Sequence, residues 1–144
     1  MKIQKKDTKL TEQLQEIHKK EEVYEPIIRI KQGGMEQDAT LDMPFSLFSY
    51  TRIKGYKPEM TLLYLCILRS YEREDNCAYP SQDELAKLYG KDTRTLQRHL
   101  VVLEKFGLVR IIGYGGGQRN LYVPLKPKSL HELIKANPEL KLIQ

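Results

Sequence analysis

Tyr79-Pro80-Ser81-Gln82-Asp83-Glu84-Leu85-Ala86-Lys87-Leu88-Tyr89-Gly90-Lys91-Asp92-Thr93-Arg94-Thr95-Leu96-Gln97-Arg98-His99-Leu100-Val101-Val102-Leu103-Glu104-Lys105-Phe106-Gly107-Leu108-Val109-Arg110-Ile111-Ile112 is the stretch that decides the fold. A loop from Gly113 to Asn120 follows, and then Leu121-Tyr122-Val123. Ser81 and Glu84 have the spacing of a capping box. In that motif the hydroxyl accepts from the backbone N–H three residues on, and the carboxylate accepts from the N–H of the cap. Leu85, Ala86 and Leu88 supply an apolar side, and Gly90 suits the left-handed residue that ends a helix. Asp92 is a good cap for a second helix over Thr93 to Phe106. Two short β-rich runs, Leu108 to Ile112 and Asn120 to Val123, flank the glycine loop as a hairpin requires. The order is therefore helix, tight turn, helix, hairpin.

The second helix has two unlike faces. At about 100° per residue, Leu96, Leu100 and Leu103 fall on one stripe, with His99 and Phe106 on its flank. Arg94, Gln97, Arg98, Val101 and Lys105 fall on the other side. Those residue types suit the edges of base pairs: arginine can bond guanine O6 and N7 with two donors, and glutamine can pair with adenine N6 and N7. Val101 can touch a thymine methyl, and Thr93 at the helix start can offer its hydroxyl and N–H to a phosphate. Read without its neighbours, the same face is an ordinary solvated one; a capped helix before it and a hairpin after it favour the functional reading.

In the hairpin, Gly115-Gly116-Gly117 permits a close backbone approach to a phosphate. Tyr114, Gln118 and Arg119 are the side chains there that can reach a backbone or a minor groove. The alternative is a plain hairpin with no ligand. A nucleotide-binding reading fails. No G-x-x-x-x-G-K-[ST] is present, position 118 is Gln where a third glycine would fall, and the loop lies between strands rather than opening a helix.

Outward from this unit, Pro58 to Glu72 reads as a helix, with Pro58 in its first turn and Glu59 at its positive end. Met60, Leu63, Tyr64, Ile67, Leu68 and Tyr71 share one face, and Leu62, Leu65 and Cys66 make it apolar on nearly all sides. Cys77-Ala78-Tyr79 suggests a strand stub. Phe45, Leu47 and Phe48, after Pro44, are expected to start a short helix and pack into the core. Ile27-Ile28-Arg29-Ile30 reads as extended, and Gly33-Gly34 breaks the chain. Asp7 to Glu22 has helical character, with Ile3, Leu10, Ile17 and Tyr24 repeating at seven and Leu14 between them. That segment is either a solvated tail or a helix that pairs with another copy or packs back on the domain. Lys126 to Asn137 holds a last helix, with Ser129 and Glu132 as a second capping box and Leu130, Leu133 and Ile134 as its stripe. The expected organisation is an N-terminal extension over 1–40, the main domain over 41–125, and a C-terminal helix and tail over 126–144.

The chain has 144 residues, 30% charged and 40% hydrophobic, with a formal net charge of +5. That size fits one compact domain with added segments. From Lys91 to Lys126 the bases Lys91, Arg94, Arg98, Lys105, Arg110, Arg119 and Lys126 stand against the acids Asp92 and Glu104 only. The excess positive charge is thus expected on the second-helix and hairpin half. Cys66 and Cys77 make neither a disulfide framework nor a metal motif. His18, His99 and His131 have no ligand spacing, and His99 is expected at the edge of the core. No apolar run approaches the roughly 20 residues of a membrane span, and no signal-peptide core follows Met1. A cytoplasmic protein without cofactor, metal or catalytic constellation is expected, hence not an enzyme.

Tyr79 to Ala86, Thr93 to Leu100 and Leu103 to Val109 closely resemble winged-helix domains of plasmid and phage replication proteins, of the replication-initiator and replisome-organiser type. Pro44 to Phe48 and the Pro58 helix also look like that group, so the resemblance spans about Leu41 to Val123. It implies a mainly α, α+β fold: a winged helix-turn-helix with N- and C-terminal helical extensions. It further implies a homodimer that binds double-stranded DNA, reading the major groove with 93–106 and touching the backbone or minor groove with 113–120. A replication or partition protein would be a further partner. Lys57 departs from the Ser or Asp more usual before such a helix. Many replication initiators continue into a second domain where this sequence ends, so initiation by this chain alone is not expected. Two other readings stay open: a transcriptional repressor of a mobile element, and a winged helix whose surface binds another protein.

Overall fold

The computed structural model describes residues 8–30, 33–35, 38–114 and 119–143, the side chain of Tyr114 excepted. In chain order the elements are α1 (Thr8–Lys20), β1 (Ile28–Arg29), β2 (Thr40–Leu41), α2 (Leu47–Tyr50), α3 (Glu59–Arg69), β3 (Tyr71–Glu72), β4 (Cys77–Ala78), α4 (Gln82–Tyr89), α5 (Thr93–Lys105), β5 (Val109–Tyr114), β6 (Arg119–Pro124) and α6 (Leu130–Ala136). β1 and β2 form a separate ribbon. The main sheet is antiparallel in the order β3-β4-β6-β5. This is an α+β fold, a winged helix-turn-helix with helices added at both ends.

The sheet separates two apolar layers, because successive side chains on a strand point to opposite faces. Val109, Ile111 and Tyr122 face α3, α4 and α5, where they meet Leu63, Tyr64, Ile67, Leu85, Leu96, Leu100 and Leu103. Their neighbours Ile112, Leu121 and Val123 face the other way and pack with Cys77, Leu125 and, from α1, Leu10 and Leu14. Most of the apolarity of α3 has its reason in the first layer, where Met60, Leu63, Tyr64, Cys66, Ile67 and Leu68 are buried; Leu62, on the outer side of the helix, is exposed instead.

α1 is docked rather than solvated. After it, the chain runs beside the end of β6: Tyr24 N–H donates to the Pro124 carbonyl at 2.9 Å, Lys126 N–H to the Glu22 carbonyl at 2.8 Å, and Val23 bridges Leu125. Arg110 Nε and Nη2 donate to the two carboxylate oxygens of Glu21 at 2.7 and 2.8 Å, a bidentate pair that fixes the geometry as well as the charge. Of the seven-residue repeat, Ile3 lies outside the described residues.

Several expectations need correction. Phe45 and Phe48 are not core: they are 86% and 59% exposed. A four-residue helix turns one side inward, and Leu47 and Tyr50 occupy it. The two phenyl rings lie against each other, centroids 6.1 Å apart. Leu88 is exposed because Tyr89, one turn beyond Leu85, takes the inward position. Ile134 is exposed while Leu133 is buried. Tyr71 has left the helix for β3. The hairpin strands are longer than expected, pairing from Val109↔Pro124 out to Tyr114↔Arg119.

Candidate nucleic-acid interface

α4 and α5 are set by their ends. Ser81 Oγ accepts from the Glu84 N–H at 3.1 Å, and Gly90 closes α4 at φ 74°, ψ 26°, with its N–H on the Ala86 carbonyl. Only two residues then separate Gly90 from Thr93. Asp92, in extended conformation, caps α5 through Oδ1, which accepts from the Thr95 N–H at 2.7 Å. That backbone bond, then the Thr95 hydroxyl, then the Arg98 and Arg94 charges hold the Asp92 carboxyl below its ordinary range. At Ser81 only the hydroxyl half of the expected capping box forms, whereas at Ser129 and Glu132 both bonds are made.

α5 lies with Leu96, Leu100 and Leu103 inward. His99 is buried beside them. Its Nδ1 and the Tyr89 hydroxyl are hydrogen-bonded at 2.7 Å, joining α5 to α4. Burial lowers the pKa of His99 and raises that of Tyr89, so both are neutral near pH 7. Arg94, Gln97, Arg98, Val101 and Lys105 are exposed on the other side, and Thr93 is half-buried at the helix start.

Two of these side chains are held in place by neighbours. Arg98 Nη2 donates to Thr95 Oγ1 at 3.2 Å, so the cap residue, Thr95 and Arg98 form a chain of contacts along the first turn. Gln97 Nε2 donates to Gln82 Oε1, at the start of α4, at 2.7 Å. Lys105 Nζ sits 5.9 Å from the centroid of the Phe106 ring. Neither Thr95 nor Gln82 stood out in the sequence. Thr95 had a weak signal in its i+3 spacing from Asp92 and to Arg98, whereas Gln82 had none.

The charge on this half is smaller than its sequence suggests. Lys91 Nζ pairs with Glu59 at 2.8 Å and Arg110 with Glu21 at 2.7 Å, so that, with the longer Lys126 pair, acids distant in sequence return to three of the seven bases. Lys126 lies 4.0 Å from Glu22. The positive charge of α5 itself is carried by Arg94, Arg98 and Lys105.

In the hairpin, Arg119 is exposed and belongs to β6 rather than to the loop. It stands at a cleft of about 290 Å³ together with Glu72, Ser81 and Glu84. That places it beside the start of α4. The tip, Gly115 to Gln118, lies outside the described residues, as does the side chain of Tyr114.

Residues 57–109 match a family model described as a helix-turn-helix domain. The match runs from the residue before Pro58 through α3, α4 and α5 to the first residue of β5, and supports a helix-turn-helix DNA-binding domain. No curated protein and no solved structure matches the chain. No helix among the described residues is long and apolar enough to cross a membrane.

Proposed function

We propose that this chain binds double-stranded DNA sequence-specifically, as a homodimer, in plasmid or phage replication or its regulation. α5 enters the major groove, and the hairpin meets the backbone or minor groove. Arg94, Gln97 and Arg98 read base edges, Val101 meets a thymine methyl, and Thr93 and Lys105 meet phosphates. From the hairpin, Tyr114, Gln118 and Arg119 contribute. The observation that carries this reading is the exposed row Arg94, Gln97, Arg98 and Val101 on a helix whose opposite side is sealed by leucines. A helix fits the major groove and presents its early exposed residues to the bases.

Titration of the full chain with duplex DNA at about 50 and 200 mM salt tests it, because each phosphate contact adds about one to the slope of log affinity against log salt. Affinity should fall steeply with salt, and the double variant Arg98→Ala, Arg119→Ala should bind more weakly with a shallower slope. Retained, salt-insensitive binding in the double variant overturns the reading.

A protein-interaction module is the second reading, with a replication or partition protein as the partner. It is favoured by Phe45 and Phe48, exposed together, and by Val101, 67% exposed. Absence of any gel shift at low salt, on random and on cognate-plasmid DNA alike, would support it over DNA binding.

A further inference from the structure

We infer that Gln82, a residue of α4, positions the amide of Gln97 and thereby sets the base preference at one position of the DNA site. This rests on α5 being the helix that reads the major groove. A glutamine amide has two N–H donors and one carbonyl acceptor. In the contact described above, Gln97 spends one N–H on Gln82 Oε1 at 2.7 Å. It keeps one donor and its carbonyl. That is the pair adenine demands, since adenine offers N7 as acceptor and N6–H as donor in the major groove.

Position matters as much as chemistry. Gln97 is exposed on α5, and its side chain has several rotatable bonds whose freedom a base contact must remove. The bond to Gln82 removes part of that freedom before DNA arrives. Gln82 is the first residue of α4, half-buried, on a helix tied to α5 by Leu85, Tyr89 and His99. The anchor is therefore fixed relative to the reading helix. Thr95 serves Arg98 from within the same helix, whereas Gln82 serves Gln97 from the neighbouring one.

Selection from a pool of randomised duplex DNA tests this with the full chain as wild type, Gln97→Ala, Gln82→Ala and Gln82→Glu. Gln82→Glu keeps an acceptor for the Gln97 N–H and suits the first turn of a helix, so it is the conservative rescue. The wild type should enrich adenine at one position that Gln97→Ala loses. Gln82→Ala should weaken that preference by roughly three- to tenfold, leaving the other positions unchanged. Gln82→Glu should retain it, even at lower overall affinity. An unchanged preference in Gln82→Ala, or an equal loss at every position, overturns the role of Gln82 while the major-groove reading stands. A wild type that enriches no sequence defeats that reading, and the role of Gln82 with it.

Discussion

His99 shows what a single residue contributes at the junction of α4 and α5. Its ring is buried and bonded to the Tyr89 hydroxyl, and burial holds its pKa below the ordinary 6.5. The unfolded chain takes up a proton as pH falls through 6.5, while the folded chain resists, so protonation favours unfolding. Stability should therefore be level above about pH 7.5 and decline towards pH 5.5. Urea unfolding at both pH values measures this, and His99→Gln should flatten that part of the profile. Asp92 acts in the same sense but lower: its depressed pKa gives stability that is present above its ordinary 3.8 and lost as pH falls through its folded value. Single residues with local partners were the most legible in the sequence. Ser81, Asp92 and Ser129 bond N–H groups three residues away, and Gly90 answers a backbone need of its own. Glu21 on Arg110 and Gln82 on Gln97 join residues that only the folded chain brings together, and nothing in their local sequence marks them as partners.

At the scale of elements, the turn between α4 and α5 and the seat of α1 are the points to test. Gly90 has φ 74°, where a β-carbon meets nothing but strains its own backbone. Gly90→Ala should cost about 1–2 kcal/mol, and because the loss is in backbone rather than contacts, Gly90→Asn should recover part of it. Thermal unfolding of both variants measures the difference. Leu14 lies in the apolar layer outside the sheet, and Leu14→Ala should cost about 2–5 kcal/mol, whereas a solvated tail would lose almost nothing. The helical pattern of Asp7 to Glu22 was readable; its docking was not, because Leu10 and Leu14 are too few to distinguish a packed helix from a frayed one. The opposite error occurred at Phe45 and Phe48. Their apolarity suggested core, but a single turn of helix had already committed its inward side to Leu47 and Tyr50.

For the molecule as a whole, the sheet is a partition with different tenants on its two faces. The helical side was largely legible, since the leucines of α5 and the apolar α3 can satisfy their pattern only against each other and a sheet. The outer side was not, because Leu121 and Val123 read simply as a short β run whose second cover comes from the far end of the chain. The helix-turn-helix match at 57–109 includes neither α1 nor most of the hairpin. Shortening the chain to the matched span would strip the outer face of its cover and remove β6 altogether. Cys77 offers a way to watch this happen. Its thiol shares the outer layer with Leu10 and Leu14, and burial, aided by the charges of Asp75 and Glu72, pushes its pKa up to about 12. A thiol probe such as a maleimide should leave it untouched in the intact protein and modify it at the rate at which α1 lifts away. Weakening the seat through Leu14→Ala should speed that labelling, with no change in DNA affinity at equal folded fraction. The cysteine thereby works as a stopwatch for the undocking of a helix on the far side of the sheet from the exposed face of α5.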